Sequence, residues 1–329
     1  MKIIAYGVRK DELPYFAKFA DQFGLEYATT AKELTKETAK LAKGFDAVSL
    51  YTATTESNDA WEKLEEYGIK YVTVRTAGFD AVDVARAKQH RIKISNVPQY
   101  SPSAIAEFAV AMTLAVLRKI PLALKRAQVQ DFSVEGLLGK ELNQMTVGII
   151  GTGRIGLTTA KVFNAFGSKV IGYDVFQNEE AKEVLDYKSL DEVFASSDII
   201  SLHIPLTSEN KHIINKESIE KMKDGVIIIN TARGAHIDSE ALRDALVSGK
   251  VAAAGLDVYE LEEGLLKRDL SGEVIQDSVY RDLSNLPNVV MTPHIAFSTE
   301  TAVHNMVKMS TENLIAFTNA GVCDNEITK

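Results

Sequence analysis

The chain has 329 residues, 46% hydrophobic and 25% charged, with a formal net charge of −8. That length exceeds the ~150 residues of a usual core and points to two domains, in a composition ordinary for a globular protein. The acidic balance, with no local basic cluster, argues against a nucleic-acid surface, and the single cysteine, Cys323, excludes an internal disulfide and argues against a cysteine-based metal site.

In chain order, residues 1–6 read as a first strand and not as a signal peptide, because Arg9-Lys10-Asp11-Glu12 follows at once. No apolar run reaches the ~18 residues of a membrane span. A cytoplasmic protein with no membrane partner and no bound metal is expected. Residues 12–23 carry apolar side chains at helical spacing. Residues 47–50 form a strand after a polar helix, and 59–67 form a helix ended by Gly68. Strands follow over 69–74 and 93–97. Alternating βα units predict a mostly parallel sheet covered on both faces.

Ser101 before Pro102 signals a helix start, a serine cap with proline at the first helical position. The helix is predicted over 103–119 and stops at Pro121. Ala106, Ala109, Val110, Thr113, Leu114 and Leu117 give it a broad apolar surface. That surface suits a core helix or one packed against a second copy of the chain.

Residues 145–150 are a strand, followed by Gly151-Thr152-Gly153-Arg154-Ile155-Gly156, a helix over 157–166 and a strand ending at Asp174. Strand, glycine turn, helix, strand and acid form a dinucleotide-binding unit. Its glycines allow a tight turn, close approach of a pyrophosphate and close helix packing. The helix N-terminus offers N–H groups to the phosphates. Asp174 lies 18 residues past Gly156, near the ~20 at which an acid meets a ribose. Further βα units cover 198–204, 225–230, 251–258 and 289–292. A last helix spans 300–318.

Three segments sit at strand ends of this second block: 230–234, 257–262 and 292–296. Ligands of open α/β sheets bind at such ends. Hydride transfer to a carbonyl needs a proton donor active near neutrality, which suits histidine. A neighbouring carboxylate would favour the imidazolium and fix the ring. An arginine would grip a substrate carboxylate through its planar fork. His294, Glu262 and Arg233 supply one of each. Taken singly, each also reads blandly: His294 is one of six histidines, Glu262 lies in an acid cluster with Glu260 and Glu263, and Arg233 could pair with a surface acid. The joint occurrence beside a nucleotide unit carries the reading.

At these residues the whole chain resembles the D-isomer-specific 2-hydroxy acid dehydrogenases. The matching stretches are 151–156, 203–207, 230–234 with Ile237-Asp238, 255–262 and 292–296. The resemblance implies an α/β protein of two domains, with a Rossmann-type doubly wound parallel sheet inserted into a flavodoxin-like domain. The substrate domain would be 1–100 with 298–329, the dinucleotide domain 101–297, with an active cleft between them. It implies NAD as cofactor and a small 2-oxo or D-2-hydroxy acid as partner. His294 resembles the acid/base, Glu262 its carboxylate partner and Arg233 the carboxylate anchor. Gly151, Gly153 and Gly156, with Arg154 and Ile155, match the pyrophosphate loop, and Asp174 the ribose acid that favours NAD. Asp257 matches an acid near the nicotinamide. His203, Pro205 and Thr231 match cofactor walls. Thr76-Ala77-Gly78 matches the loop facing the substrate carboxylate, with Ala77 and Phe79 departing from some relatives. Tyr100 matches the cleft mouth.

The lactate and hydroxyisocaproate branch is most similar, through its start, residues 100–107, residues 300–306 and an insert over 263–286. Tyr51 and Phe297 are bulky where the lactate enzymes shape the side-chain pocket, which favours pyruvate and D-lactate over a branched-chain 2-oxo acid. The family fold also serves NADH-sensing corepressors, but this sequence shows no obvious disordered docking tail or basic region, and its lactate-branch features favour an enzyme. A homodimer through the 101–120 region is expected.

Overall fold

A computed structural model describes residues 1–265 and 268–329; Leu266 and Lys267, inside the 263–286 insert, lie outside the described residues. The chain divides into two compact units, Met1–Ser101 with Ser298–Lys329, and Pro102–Phe297.

The first unit holds strands β1 (Lys2–Tyr6), β2 (Glu26–Thr29), β3 (Ala47–Leu50), β4 (Tyr71–Val74) and β5 (Lys93–Ser95). All pair in parallel, in the order β2-β1-β3-β4-β5. This is the flavodoxin-like order. Every residue of β3 is buried, as expected of a strand covered by helices on both faces. Strand β2 escapes sequence reading because it lies at the sheet edge, where none of its residues is fully buried. The helix expected over 59–67 is Trp61–Glu66, preceded by a separate short helix, Thr55–Asn58, and the polar helix before β3 is a single 3-10 turn, Ala39–Ala42. The closing helix Glu300–Ala320 buries Leu314 beside Ile3 and Ala47, and Val307 beside Phe16 and Phe19.

One buried ion pair ties the strand ends of this unit. Arg75, just past β4, donates from Nε to Glu12 Oε1 (2.9 Å), from Nη1 to Ser49 Oγ (3.0 Å) and from Nη2 to the Tyr6 carbonyl (3.0 Å). Both charged side chains are wholly buried. Glu12 Oε2 also accepts the Arg9 N–H. Burying two charges is tolerable because nearly every donor and acceptor is used.

The second unit holds β6 (Thr146–Ile150), β7 (Lys169–Tyr173), β8 (Asp186–Tyr187), β9 (Ile199–Leu202), β10 (Val226–Asn230), β11 (Val251–Leu256) and β12 (Val289–Met291). The order is β12-β11-β10-β9-β6-β7-β8, again parallel. This is the Rossmann order with one strand added at the far edge. The order reverses between β6 and β9, which makes their carboxyl ends the switch point.

The helix capped near Ser101 runs Pro102–Leu117 and is core: Ala106, Ala109 and Thr113 are fully buried. Gly255 in β11 leaves room for Met112, whose Cβ would stand 3.1 Å from any Cβ placed there. Pro121 does more than end this helix. It sits in the first turn of a second one, Ile120–Gln128, entered through Lys119 at φ 52°. Proline suits a first turn because its missing N–H has no intrahelical partner there. The exposed apolar side chains begin with this second helix: Ile120, Leu124, Val129, Phe132, Val134 and Leu138.

Removing one partner of the buried pair strands the other. Arg75→Leu is expected to lower unfolding free energy by about 3–5 kcal/mol in urea titration, and the double change Arg75→Leu with Glu12→Leu by less. Equal losses in the two variants would show that the charges themselves are not what the Arg75 site depends on.

Candidate active site

Strand register gathers the residues of the second unit. Ile150 pairs Tyr173 and Leu202; Leu202 pairs Asn230; Asn230 pairs Leu256; Leu256 pairs Met291. These six residues form one rung across the sheet. The residue after each is Asp174, Gly151, His203, Thr231, Asp257 and Thr292. Five of those six are expected site residues, and all leave the sheet at its carboxyl edge.

The glycine turn opens at the switch point. Gly151 has φ 95°, and a Cβ there would come 2.6 Å from the His203 carbonyl oxygen. A Cβ on Gly156 would come 1.8 Å from the Gly151 carbonyl oxygen. Both glycines are therefore required by the chain itself. Gly153 differs. It has no left-handed backbone, and a Cβ there would meet nothing within 4 Å. It is the N-cap of the helix Arg154–Ala165 and supplies no side-chain cap, so the first N–H groups of that helix remain for an anion. Open space over uncapped N–H groups fits a pyrophosphate. Arg154 is exposed and Ile155 half-buried beside it.

Asp174 braces the turn from the neighbouring strand. Its Oδ2 accepts the Thr152 N–H (2.6 Å) and hydroxyl (3.2 Å), and its Oδ1 accepts the Phe176 N–H (3.0 Å). His203 bonds Ser201 Oγ through Nε2 at 2.8 Å, and burial pushes its pKa far down, so the ring stays neutral. Pro205 is exposed; its carbonyl accepts Asn210 Nδ2. The Thr231 hydroxyl is buried without a hydrogen-bond partner.

The histidine, glutamate and arginine of the later strand ends are each fixed differently. His294 sits in the left-handed region at φ 56°, a conformation that costs a non-glycine residue about 1–3 kcal/mol unless surroundings impose it. The surroundings do. The His294 N–H donates to the carbonyls of Asp257 (2.8 Å) and Thr292 (2.9 Å). The buried Asp257 carboxylate accepts the Thr292 hydroxyl (2.5 Å) and Ile295 N–H (2.9 Å) on Oδ1 and the Ala296 N–H (2.8 Å) on Oδ2. Burial raises the Asp257 pKa against those donors. As Asp174 does, Asp257 thus engages its own chain with both carboxylate oxygens, at the position expected to lie near the nicotinamide. It holds the turn that carries His294.

Glu262 Oε1 lies 2.9 Å from His294 Nδ1, and Oε2 accepts the Tyr259 N–H at 3.0 Å. The pair is only part-buried, at 35% and 22% side-chain exposure, so a small molecule can reach the ring. Tyr259 is anchored in turn by its hydroxyl on Asp277 Oδ2 (2.7 Å), the cap of the helix Ser278–Asn285. Arg233 is half-buried; its Nη1 donates to the Ala232 carbonyl, and Asn230 Nδ2 donates to the Arg233 carbonyl. Gly234 lets that segment touch the next one: a Cβ there would stand 2.0 Å from the Tyr259 carbonyl carbon. Phe297 is half-buried at the end of this unit.

The first unit has its own rung, Tyr6–Leu50–Val74, followed by Gly7, Tyr51 and Arg75. The Arg9 guanidinium lies over the Tyr51 ring, 4.6 Å from its centroid. The Ala77 carbonyl accepts Asn96 Nδ2 (2.7 Å), and the Gly78 carbonyl accepts the Thr76 hydroxyl (2.7 Å). The Tyr100 carbonyl accepts Asn305 Nδ2 (2.7 Å).

Comparison with known proteins decides what this geometry belongs to. Residues 110–296 match the family described as D-isomer specific 2-hydroxyacid dehydrogenase, NAD binding domain. The chain is 49% identical over 327 residues to an aromatic 2-oxoacid reductase of Clostridium sporogenes, covering 99% of both chains. It is 46% identical over 329 residues to a D-lactate dehydrogenase of Lactiplantibacillus plantarum, again covering 99% of both.

The chain belongs to the D-isomer-specific 2-hydroxyacid dehydrogenases.

Solved structures agree. That of a D-2-hydroxyisocaproate dehydrogenase superposes with a TM-score of 0.91 over all of both chains at 43% identity. The apo D-lactate dehydrogenase of Escherichia coli gives 0.88 over 99% of this chain and 100% of that one, at 36% identity. This dehydrogenase is an NAD-dependent oxidoreductase acting on small 2-oxo and 2-hydroxy acids. Among the described residues no helix is long and apolar enough to cross a membrane, and no three His, Cys, Asp or Glu side chains group as metal ligands.

Sequence reasoning did not find the braces of the dehydrogenase site: Thr292, Asn230, Gly234 and the Tyr259–Asp277 bond. Gly234 was the one with a legible signal, a glycine directly after a candidate arginine.

Gly153→Ala separates cofactor space from fold. Its melting temperature is expected to stay within about 2 °C of the parent, since the methyl meets no protein atom, while the Kd for NADH rises at least ~10-fold. Gly156→Ala is expected to lose both. Unchanged NADH affinity in Gly153→Ala would move the pyrophosphate away from this turn.

Proposed function

We propose that this dehydrogenase reduces pyruvate to D-lactate, with His294 as proton donor, Glu262 as its orienting partner and Arg233 as the carboxylate anchor. The observation carrying the catalytic assignment is the His294–Glu262 contact at 2.9 Å. With Nδ1–H turned to the carboxylate, the tautomer is fixed and Nε2 is left for the substrate oxygen. The nicotinamide, when bound, supplies the hydride to C2. As the carbonyl oxygen gains charge, protonated His294 gives up its proton to it, and the hydroxy acid results. In the reverse direction neutral His294 removes the hydroxyl proton. Arg233 holds the carboxylate by its fork, and the Gly151–Gly156 turn with Asp174 holds pyrophosphate and ribose. Asp257 acts one step back, through the turn it clamps.

The choice of pyruvate is supported by Tyr51. Its place beside the substrate side chain is what the family resemblance implies, and a ring held under Arg9 there would accommodate a methyl group more readily than an isobutyl. Phe297, Ala77, Gly78 and Tyr100 are assigned to the same substrate on family resemblance. A second reading, bulkier 2-oxo acids, has its own support: the aromatic 2-oxoacid reductase is more identical to this chain than the D-lactate dehydrogenase is. One or two methylenes are discriminated by only about 1–3 kcal/mol. We also read the protein as a homodimer. The expected interface is the 101–120 region; because the Pro102–Leu117 helix is largely buried within its own unit, the exposed apolar residues that follow it, from Ile120 to Leu138, support an interface that extends past that region.

Turnover of NADH with pyruvate, 2-oxoisocaproate and phenylpyruvate tests the substrate. We expect the highest kcat/KM with pyruvate and D-lactate as product; a preference for phenylpyruvate would establish the second reading. Arg233→Lys is expected to raise KM by ~100-fold or more and to lower kcat, because an ammonium cannot copy the fork. Reduction consumes the charged imidazole, so its rate should fall with rising pH, while oxidation should climb over the same span. Parallel profiles in both directions would remove His294 as the proton carrier.

A further inference from the structure

A second histidine–glutamate pair lies outside the groups assigned so far. His212 Nε2 stands 2.5 Å from Glu260 Oε1, and Glu260 Oε2 accepts the Ser239 hydroxyl at 3.3 Å. The side chains are 34% and 20% exposed, so the contact is only partly screened by water. His212 also has a left-handed backbone, φ 53°. Both of its peptide groups are used: its N–H donates to the Ala235 carbonyl (2.9 Å), and its carbonyl accepts Asn215 Nδ2 (2.9 Å). Such a conformation persists where the surroundings over-determine it.

The partners are informative. Ala235 lies two residues after Arg233. Glu260 lies two residues before Glu262, next to Tyr259, whose N–H holds Glu262. His212 therefore bridges the segment bearing the anchor and the segment bearing the histidine's partner, by backbone to one and by ring to the other. The same two segments touch at Gly234 and Tyr259, so close that no Cβ fits between them. The parallel bridge of Ile214 with Ile237 continues the seam.

We propose that His212, through Glu260, is a positioning residue that sets the spacing between Arg233 and the Glu262–His294 pair. Arg233 grips the carboxylate and His294 meets the carbonyl of one small substrate, so this spacing fixes the reacting geometry. The proposal rests on the catalytic assignment above.

The test uses the full-length enzyme with NADH and pyruvate, 2-oxoisocaproate or phenylpyruvate, whichever the wild type reduces fastest. Loss of alignment by about 1 Å costs on the order of 100-fold in rate. His212→Ala and Glu260→Gln should each lower kcat/KM by roughly 30-fold or more, with KM raised and kcat lowered together. The NADH Kd should stay within about twofold, because the glycine turn lies on other strands. His212→Gln keeps a side-chain donor for Glu260 and should recover most of the loss. Both first variants at wild-type kcat/KM would overturn the proposal. So would a His212→Ala loss that appears equally in NADH affinity and melting temperature and is not rescued by Gln. A wild-type enzyme that reduces none of the three acids would overturn the catalytic assignment, and the proposal with it.

Discussion

Parallel register is the constraint on which the dinucleotide unit depends. One rung, Tyr173–Ile150–Leu202–Asn230–Leu256–Met291, ends six strands at the same level. Whatever follows each strand must emerge at that edge. Asp174, the glycine turn, His203, the Arg233 segment, Asp257 and the His294 turn are brought together by backbone hydrogen bonds before any side chain acts. A slip of one residue in a single strand would send its side chains to the opposite face and its loop out of line. Near-complete burial of β6, β9, β10 and β11 makes such a slip costly.

Once the loops are gathered, close approach and carboxylate clamps refine them. Gly151, Gly156 and Gly234 stand where a methyl would strike backbone. Each clamp is a carboxylate that accepts at least one backbone N–H together with a side-chain donor, a threonine hydroxyl or the histidine ring. Asp174 holds Thr152 and Phe176; Asp257 holds Thr292, Ile295 and Ala296; Glu262 holds Tyr259 and His294. Ionised carboxylates make such bonds stronger than neutral acceptors do. The left-handed backbone of His294 is sustained by this arrangement, which holds still the residue proposed to carry the proton.

Much of this was legible in the sequence, for identifiable reasons. The glycine turn, Asp174 and the three later strand ends were visible because long buried strands carry continuous apolar runs. Both sheets have the topology that the family resemblance implied. Edge strand β2 was missed because Glu26-Tyr27-Ala28-Thr29 lacks such a run, and the helix starting at Ile120 was hidden by reading Pro121 only as a stop. Asp257 shows the limit most clearly. Its place at a strand end could be read, but three donors from residues some forty positions away decide what its carboxylate does. The same holds for Glu260, which in sequence is one acid among three and in space is the partner of His212.

In the proposed mechanism one histidine, held by one carboxylate, moves the proton while the glycine turn independently holds the cofactor. His294→Gln tests it most directly, with NADH affinity measured by calorimetry and turnover by NADH absorbance on the same preparation. The variant's kcat is expected to be lowered by at least ~1,000-fold with an NADH Kd within about twofold of wild type, since only the proton transfer is removed. Turnover within tenfold of wild type would contradict it.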